Sequence, residues 1–190
     1  AVKTLADNQG LTDIYSYFAF SDIFEEMQTS SLPFHGSFGL LNIYGVPKPV
    51  YRAFQILHEA GTERLPVEGG ESQTLEALAL KKGTEKLDII LHNHNIPLSP
   101  IKEETACVTV KGINKFRRAV IRRVDENHCN PRRVWIDMGS PEYPEKEEIR
   151  KLLDASELKD EPINCENKEG SIMFTVTVPP HGIADIILEL

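Results

Sequence analysis

The chain has 190 residues, 41% of them apolar, and a net charge of −8 from 29 acidic and 21 basic residues. That length allows one or two compact units, and the acidic balance argues against a partner held by its phosphates, which needs a basic patch. No apolar run approaches the roughly 18 residues a membrane-spanning helix needs, and no charged-then-apolar leader opens the chain, so a cytoplasmic location is the expectation.

The chain starts at Ala1, and Ala1–Gly10 reads like the tail of a helix. Next, Ile14-Tyr15-Ser16-Tyr17-Phe18-Ala19-Phe20 is almost continuously apolar and aromatic, the pattern of a strand buried on both faces, as in a parallel sheet. A loop with Pro33 and Gly36 follows Ser21–Glu26. Residues 47–60 predict a helix: Pro49 suits the first turn, Val50, Ala53, Phe54 and Leu57 keep helical spacing, and Gly61 supplies the stop. Strand, loop and helix make one βα unit. It is too little to bury a core alone, and its strand demands neighbours on both edges.

Beyond Gly61 the pattern changes to short alternating segments at 74–81, 86–92, 106–111, 118–124, 172–178 and 183–190. Turn signals separate them at Lys82-Gly83-Thr84, residues 93–100, Gly112-Ile113-Asn114 and Pro179–Gly182. Such a run predicts an antiparallel β-sandwich. A helix interrupts it near 145–153, with Glu145, Glu147 and Glu148 at its start and Ile149, Leu152 and Leu153 as its stripe. The expected organisation is therefore mostly β: residues 1–61 end a (β/α)8 barrel, and residues 62–190 form a β-sandwich with an inserted helix. The basic residues Lys115, Arg117, Arg118, Arg122 and Arg123 read as a solvated strand face or a local ion-pair network.

Active sites of βα barrels lie at the C-terminal ends of the strands. Glu25 and Glu26 fall just past such an end, with Phe18, Phe24, Phe34 and His35 close in sequence. Carboxylates accept hydrogen bonds from sugar hydroxyls, and aromatic faces suit the C–H surface of a sugar ring. The plainer reading, exposed loop acids beside core aromatics, stays open at this point. Glu25 and Glu26 do not suit the acid and nucleophile of one glycosidase site, because adjacent residues of an extended segment point to opposite sides. His92-Asn93-His94 puts two histidines on one strand face with no third ligand in view. Cys129 beside His128 lacks a positioned base and an orienting group. Cys107, Cys129 and Cys165 form no spacing framework, which fits free thiols. No cofactor or metal is implied.

Residues Tyr15–Glu26 (YSYFAFSDIFEE), Pro33-Phe34-His35-Gly36-Ser37-Phe38-Gly39-Leu40 and Gly45-Val46-Pro47-Lys48-Pro49 together resemble glycoside hydrolase family thirty-nine. Asp125–Pro131, Trp135, Met138-Gly139-Ser140-Pro141, Tyr143 and the turn Pro179-Pro180-His181-Gly182 extend the resemblance over essentially the whole chain. It implies a (β/α)8 barrel joined to a β-sandwich that hydrolyses glycosides with retention through two glutamates. Those glutamates would precede Ala1, so no catalytic residue is expected in this chain. Glu25 and Glu26 match acids that contact the sugar in the β-xylosidases, where Phe18 stands in place of the usual Trp. The acid pair favours β-xylosidases over α-L-iduronidases, because two carboxylates repel a substrate carboxylate.

The expected sugar-binding residues are thus Glu25, Glu26, Phe18, Phe34 and His35, with a xylose-type sugar and the missing barrel portion as partners, and neither nucleic acid nor membrane. Two alternatives remain: an autonomous carbohydrate-binding sandwich, and an assembly module acting in homo-oligomer contacts.

Overall fold

The computed structural model describes residues 1–24, 30–113 and 115–190. These fall into two compact units, Ala1–Gln55 with Glu126–Leu158 and Ile56–Asp125 with Lys159–Leu190. Among the described residues no helix is long and apolar enough to cross a membrane.

The first unit is helical and irregular. Helix α1, Val2–Asp7, ends at Asn8, whose side-chain amide donates to the Thr4 carbonyl at 2.7 Å. Helix α2, Pro49–Glu59, of which residues 49–55 belong to this unit, starts with proline at a position where no N–H is needed. Helix α3, Pro131–Asp137, is capped by Asn130, whose side chain accepts from the Arg133 N–H. Helix α4, Lys146–Ser156, is capped by its own acid: the Glu145 N–H donates to the Glu148 carboxylate at 2.8 Å. Leu152 of α4 is fully buried with Val46, Phe34 and Trp135, and the Trp135 indole N–H donates to the Pro141 carbonyl at 2.9 Å. Arg52 ties α2 to the end of α4 by donating to the Ser156 carbonyl at 2.6 Å and its hydroxyl at 3.1 Å.

Two expectations change here. The helix near 145–153, expected within the sandwich, packs in the first unit, because its apolar stripe meets Trp135 of α3 and Val46. The stretch Ile14–Phe20 is not a strand. Its end is tied by bonds from Leu40 N to Ala19 O and from Leu41 N to Phe20 O, both 3.0 Å. A ladder needs a partner along the whole edge, and the Leu40–Leu41 segment flanks only its end. The expected burial is absent too: Ile14 is 81% and Phe20 70% exposed.

The second unit is antiparallel β. One sheet has the order β1-β2-β3-β9-β5-β6, with strands Glu63–Leu65 (β1), Leu75–Lys82 (β2), Lys86–Asn93 (β3), Arg118–Val124 (β5), Glu161–Pro162 (β6) and Ile183–Glu189 (β9). The other has the order β4-β8-β7, with Glu104–Lys111 (β4), Glu166–Lys168 (β7) and Ser171–Val178 (β8). Alternate residues Ile172, Phe174, Val176 and Val178 of β8 join Leu87, Ile89 and Leu91 of β3 and Ala184, Ile186 and Leu188 of β9 in one core. Each such side chain contributes about 1.5–3 kcal/mol on burial. The six alternating segments of the sequence all appear as strands, with ends shifted by up to two residues. Asn114, named in one of the turns, lies outside the described residues. The basic residues form ion pairs: Arg118 with Asp160 at 2.8 Å, Arg122 with Asp160 and Glu59 at 2.6 Å each, and Arg123 with Glu161.

Strands β3 and β9 are buried on both faces, and the face away from the shared core carries two carboxylates. Asp88 is held by Lys86 at 2.7 Å and accepts from the Gly61 N–H at 3.3 Å. Gly61 must be glycine there, since a Cβ would lie 2.1 Å from the Lys81 carbonyl carbon. Asp185, 1% exposed, sits opposite Arg122 in the register, but Arg122 is taken by Asp160 and Glu59. Burial first, and the Asp88 charge second, push the Asp185 carboxyl up to about 8. The folded state therefore keeps a proton that the unfolded chain releases near 3.8. Stability falls as pH rises from that value through about 8. Asp185→Asn, which mimics the protonated acid, is expected to raise the thermal midpoint more at about pH 9 than at about pH 5. Melting curves across that range test this, and an equal gain at both ends would contradict a protonated Asp185.

Candidate functional site

The segment that leads into Glu25-Glu26 is held by one buried ion pair. Asp22 is buried, and its Oδ1 accepts from Lys48 Nζ at 2.7 Å and from the Gly39 N–H at 2.8 Å. Lys48 Nζ also donates to the Ser37 carbonyl at 2.7 Å. Backbone bonds run alongside: Asp22 N to Leu41 O, and Lys48 N to Leu40 O, both 2.9 Å. Gly39 allows this close approach, because a Cβ there would lie 2.2 Å from the Ser21 carbonyl carbon. The following turn is closed by Asn42, whose Oδ1 accepts from the N–H groups of Tyr44 and Val46 at 2.9 Å each. Three sequence-distant stretches, 19–22, 37–42 and 46–48, thus converge on Asp22.

Aromatic side chains pair along the same segment. Tyr17 meets Phe54 edge-on at 5.3 Å, and burial together with the Asp22 charge raises its hydroxyl above the ordinary range. Phe18 and Phe24 form an edge-to-face pair at 5.1 Å, and Phe18 remains 64% exposed. The Phe18–Ala19 peptide is cis. An exposed aromatic ring suits the C–H face of a sugar, whereas the Asp22 carboxylate is buried and already held by Lys48 and the Gly39 N–H.

The expected site residues divide. Glu25 and Glu26 lie outside the described residues. Phe18 is open to a ligand. Phe34, only 8% exposed, tilts against Trp135 at 5.7 Å and serves the core of the first unit. His35 is half-buried, with its Nε2 enclosed and without a hydrogen-bond partner among the described residues. Sequence reasoning passed over Asp22, Gly39 and Lys48. A signal was available for Lys48: a cation immediately before a helix start is unfavourable unless an anion holds it.

The other candidates gain little. His92 Nε2 is 3.9 Å from Glu76, and the rings of His94 and His181 meet at 5.9 Å. No group of three or more His, Cys, Asp or Glu that could hold a metal occurs among the described residues. Cys107, Cys129 and Cys165 are free thiols, and the Cys129 thiol donates to the Glu157 carbonyl at 3.2 Å.

The model of Glycosyl hydrolases family 39 matches residues 1–172. A beta-xylosidase of Caldicellulosiruptor saccharolyticus is 46% identical over 193 residues, covering 99% of this chain and 39% of that protein. A beta-xylosidase of Geobacillus stearothermophilus is 30% identical over 157 residues, 80% of this chain and 29% of that protein. The chain thus spans 39% or less of the length of these curated relatives. Among solved structures, that of a monomeric beta-xylosidase from Caulobacter crescentus CB15 superposes with a TM-score of 0.79 at 23% identity, over 99% of this chain and 40% of that one. At such identity the likeness is one of fold.

Lys48→Met is expected to destabilise the protein by about 3 kcal/mol, because it strands the buried Asp22 carboxylate. Urea denaturation measures this. A loss below about 1 kcal/mol would mean that the pair behaves as a surface salt bridge.

Proposed function

Because this chain belongs to glycosyl hydrolase family 39, we propose that it is the C-terminal part of a retaining β-xylosidase acting in xylan and xylo-oligosaccharide breakdown. In this reading residues 1–61 are the end of a (β/α)8 barrel, and the two antiparallel sheets are its accessory β-sandwich. The observation that carries it is the row of large apolar side chains on the segment before Glu25. Leu11, Ile14, Tyr15, Tyr17, Phe20 and Ile23 are all exposed. A contiguous apolar row of this kind marks a surface that something covers, and neighbouring barrel strands would cover it.

Function then follows from position. In sequence Glu25 and Glu26 follow Asp22 closely, and in this reading they belong to the loop that βα barrels use for their sites. Their carboxylates accept hydrogen bonds from sugar hydroxyls, and Phe18 offers its face to the ring. Two glutamates on the remainder of the protein carry the chemistry. One attacks the anomeric carbon, while the other protonates the leaving oxygen and then activates water. Bonds from Glu25 and Glu26 that tighten as the sugar distorts would lower the barrier. A pair of acids also turns away a sugar that bears its own carboxylate.

The purified chain is expected to show no turnover of an aryl β-xyloside. Activity that persists through repurification would refute the reading of this chain as one wall of a site. In the full-length protein, Glu25→Ala and Glu26→Ala are each expected to lower kcat/KM by roughly ten- to a hundredfold, the worth of a charge-assisted hydrogen bond. An autonomous carbohydrate-binding module would instead give saturable shifts of β-sheet amides on titration with xylo-oligosaccharide. Trp135, whose ring could serve such a module as a platform, is buried among the helices of the first unit.

A further inference from the structure

Sheets leave open edges, and proteins guard them with short strands, charge or proline. Three of the four edge strands here are guarded. β1 has three residues, β6 has two and includes Pro162, and β7 is the three-residue Glu-Asn-Lys. β4 is different. It runs for eight residues, Glu104–Lys111, is paired with β8 on one side, and has no strand on the other among the described residues. It carries no proline, and between its two ends it carries no charge. Its outward residues Thr105, Cys107, Thr109 and Lys111 are exposed, as is Glu103 just before it. The Thr105 and Thr177 hydroxyls pair at 2.9 Å, which keeps the outer face of β4 in register with β8.

We propose that the free edge of β4 is a self-association surface, on which a second copy of this chain adds its own β4 antiparallel about a two-fold axis through Cys107. The occupant follows from charge and register. Opposed residues of an antiparallel pair share a face, so a two-fold strand pair must centre on a residue. Centring on Cys107 sets Glu103 of one copy opposite Lys111 of the other, at both ends, with Thr105 opposite Thr109 between. Centring on Val108 sets Lys111 opposite Thr105, and centring on Ala106 sets it opposite Ile101. Only the Cys107 centre satisfies both charges, and neither Glu103 nor Lys111 makes an ion pair among the described residues. Opposite charges directly across a strand pair stabilise it, and like charges there oppose it. The paired edges would join the two three-stranded sheets into one of six. The proposal stands apart from the glycosidase reading and needs only this chain.

Sedimentation velocity over a concentration series is expected to show a monomer–dimer equilibrium. Lys111→Glu sets acid against acid at both ends and should weaken the dimer on the order of tenfold. The double variant Glu103→Lys/Lys111→Glu should restore it. Circular dichroism checks that both variants fold. On the unaltered chain, a short bis-maleimide should give a cross-linked dimer that is lost in Cys107→Ser, which decides the matter even if the charge variants misfold. A chain that stays monomeric at every concentration overturns the proposal. So does a dimer indifferent to the charge variants, or one whose cross-link survives Cys107→Ser. Those last outcomes would point to the apolar row at 11–23 as the associating surface.

Discussion

A single buried carboxylate organises the N-terminal segment of this protein, the one that carries the proposed site. Asp22 takes Lys48 and the Gly39 N–H on one oxygen, and in doing so fastens the segment at 19–22 to two stretches that come later in the chain. A buried carboxylate left unpaired is expensive, so its partners are not optional. Lys48 must reach it from the start of a helix, where a cation is otherwise unfavoured. Gly39 must lack a side chain, because the backbone at Ser21 and Asp22 passes within its Cβ radius. The path of the chain up to residue 24 depends on this knot.

A second set of buried charges shapes the β unit, and its logic is opposite. Asp88 and Asp185 lie on one face of the central strands, and the available cations are shared unequally. Lys86 goes to Asp88, and Arg122 goes to Glu59 and Asp160. Asp185 is left to keep its proton. Neutralisation is the cheaper answer where no cation remains. Lys86 also donates to the Glu59 carbonyl at 3.2 Å, so the same charges that settle the carboxylates hold the end of α2.

The alternating segments between residues 74 and 190 were legible because each strand has one face in a common core, and period-two patterning records that directly. Helices α2 and α4 were legible from proline, acid caps and apolar stripes. Helix α3 was missed although Asn130-Pro131 is a cap followed by proline at the first helical position. Seven residues hold too few repeats for a stripe to stand out. Phe34 was read with the sugar-facing aromatics, yet it packs on Trp135, which is a hundred positions away and pairs with it only through the fold.

The amino-acid sequence by itself determined the family of this protein and its β-rich character, because motifs and periodicity are local properties of a chain. Tertiary structure alone decided that residues 126–158 pack with the N-terminal unit, that Phe34 is core while Phe18 is open, and that the apolar stretch at 14–20 finds no ladder within the described residues. Those outcomes depend on which surfaces meet across long sequence separations. Period and composition say that a surface must be covered, but not by what.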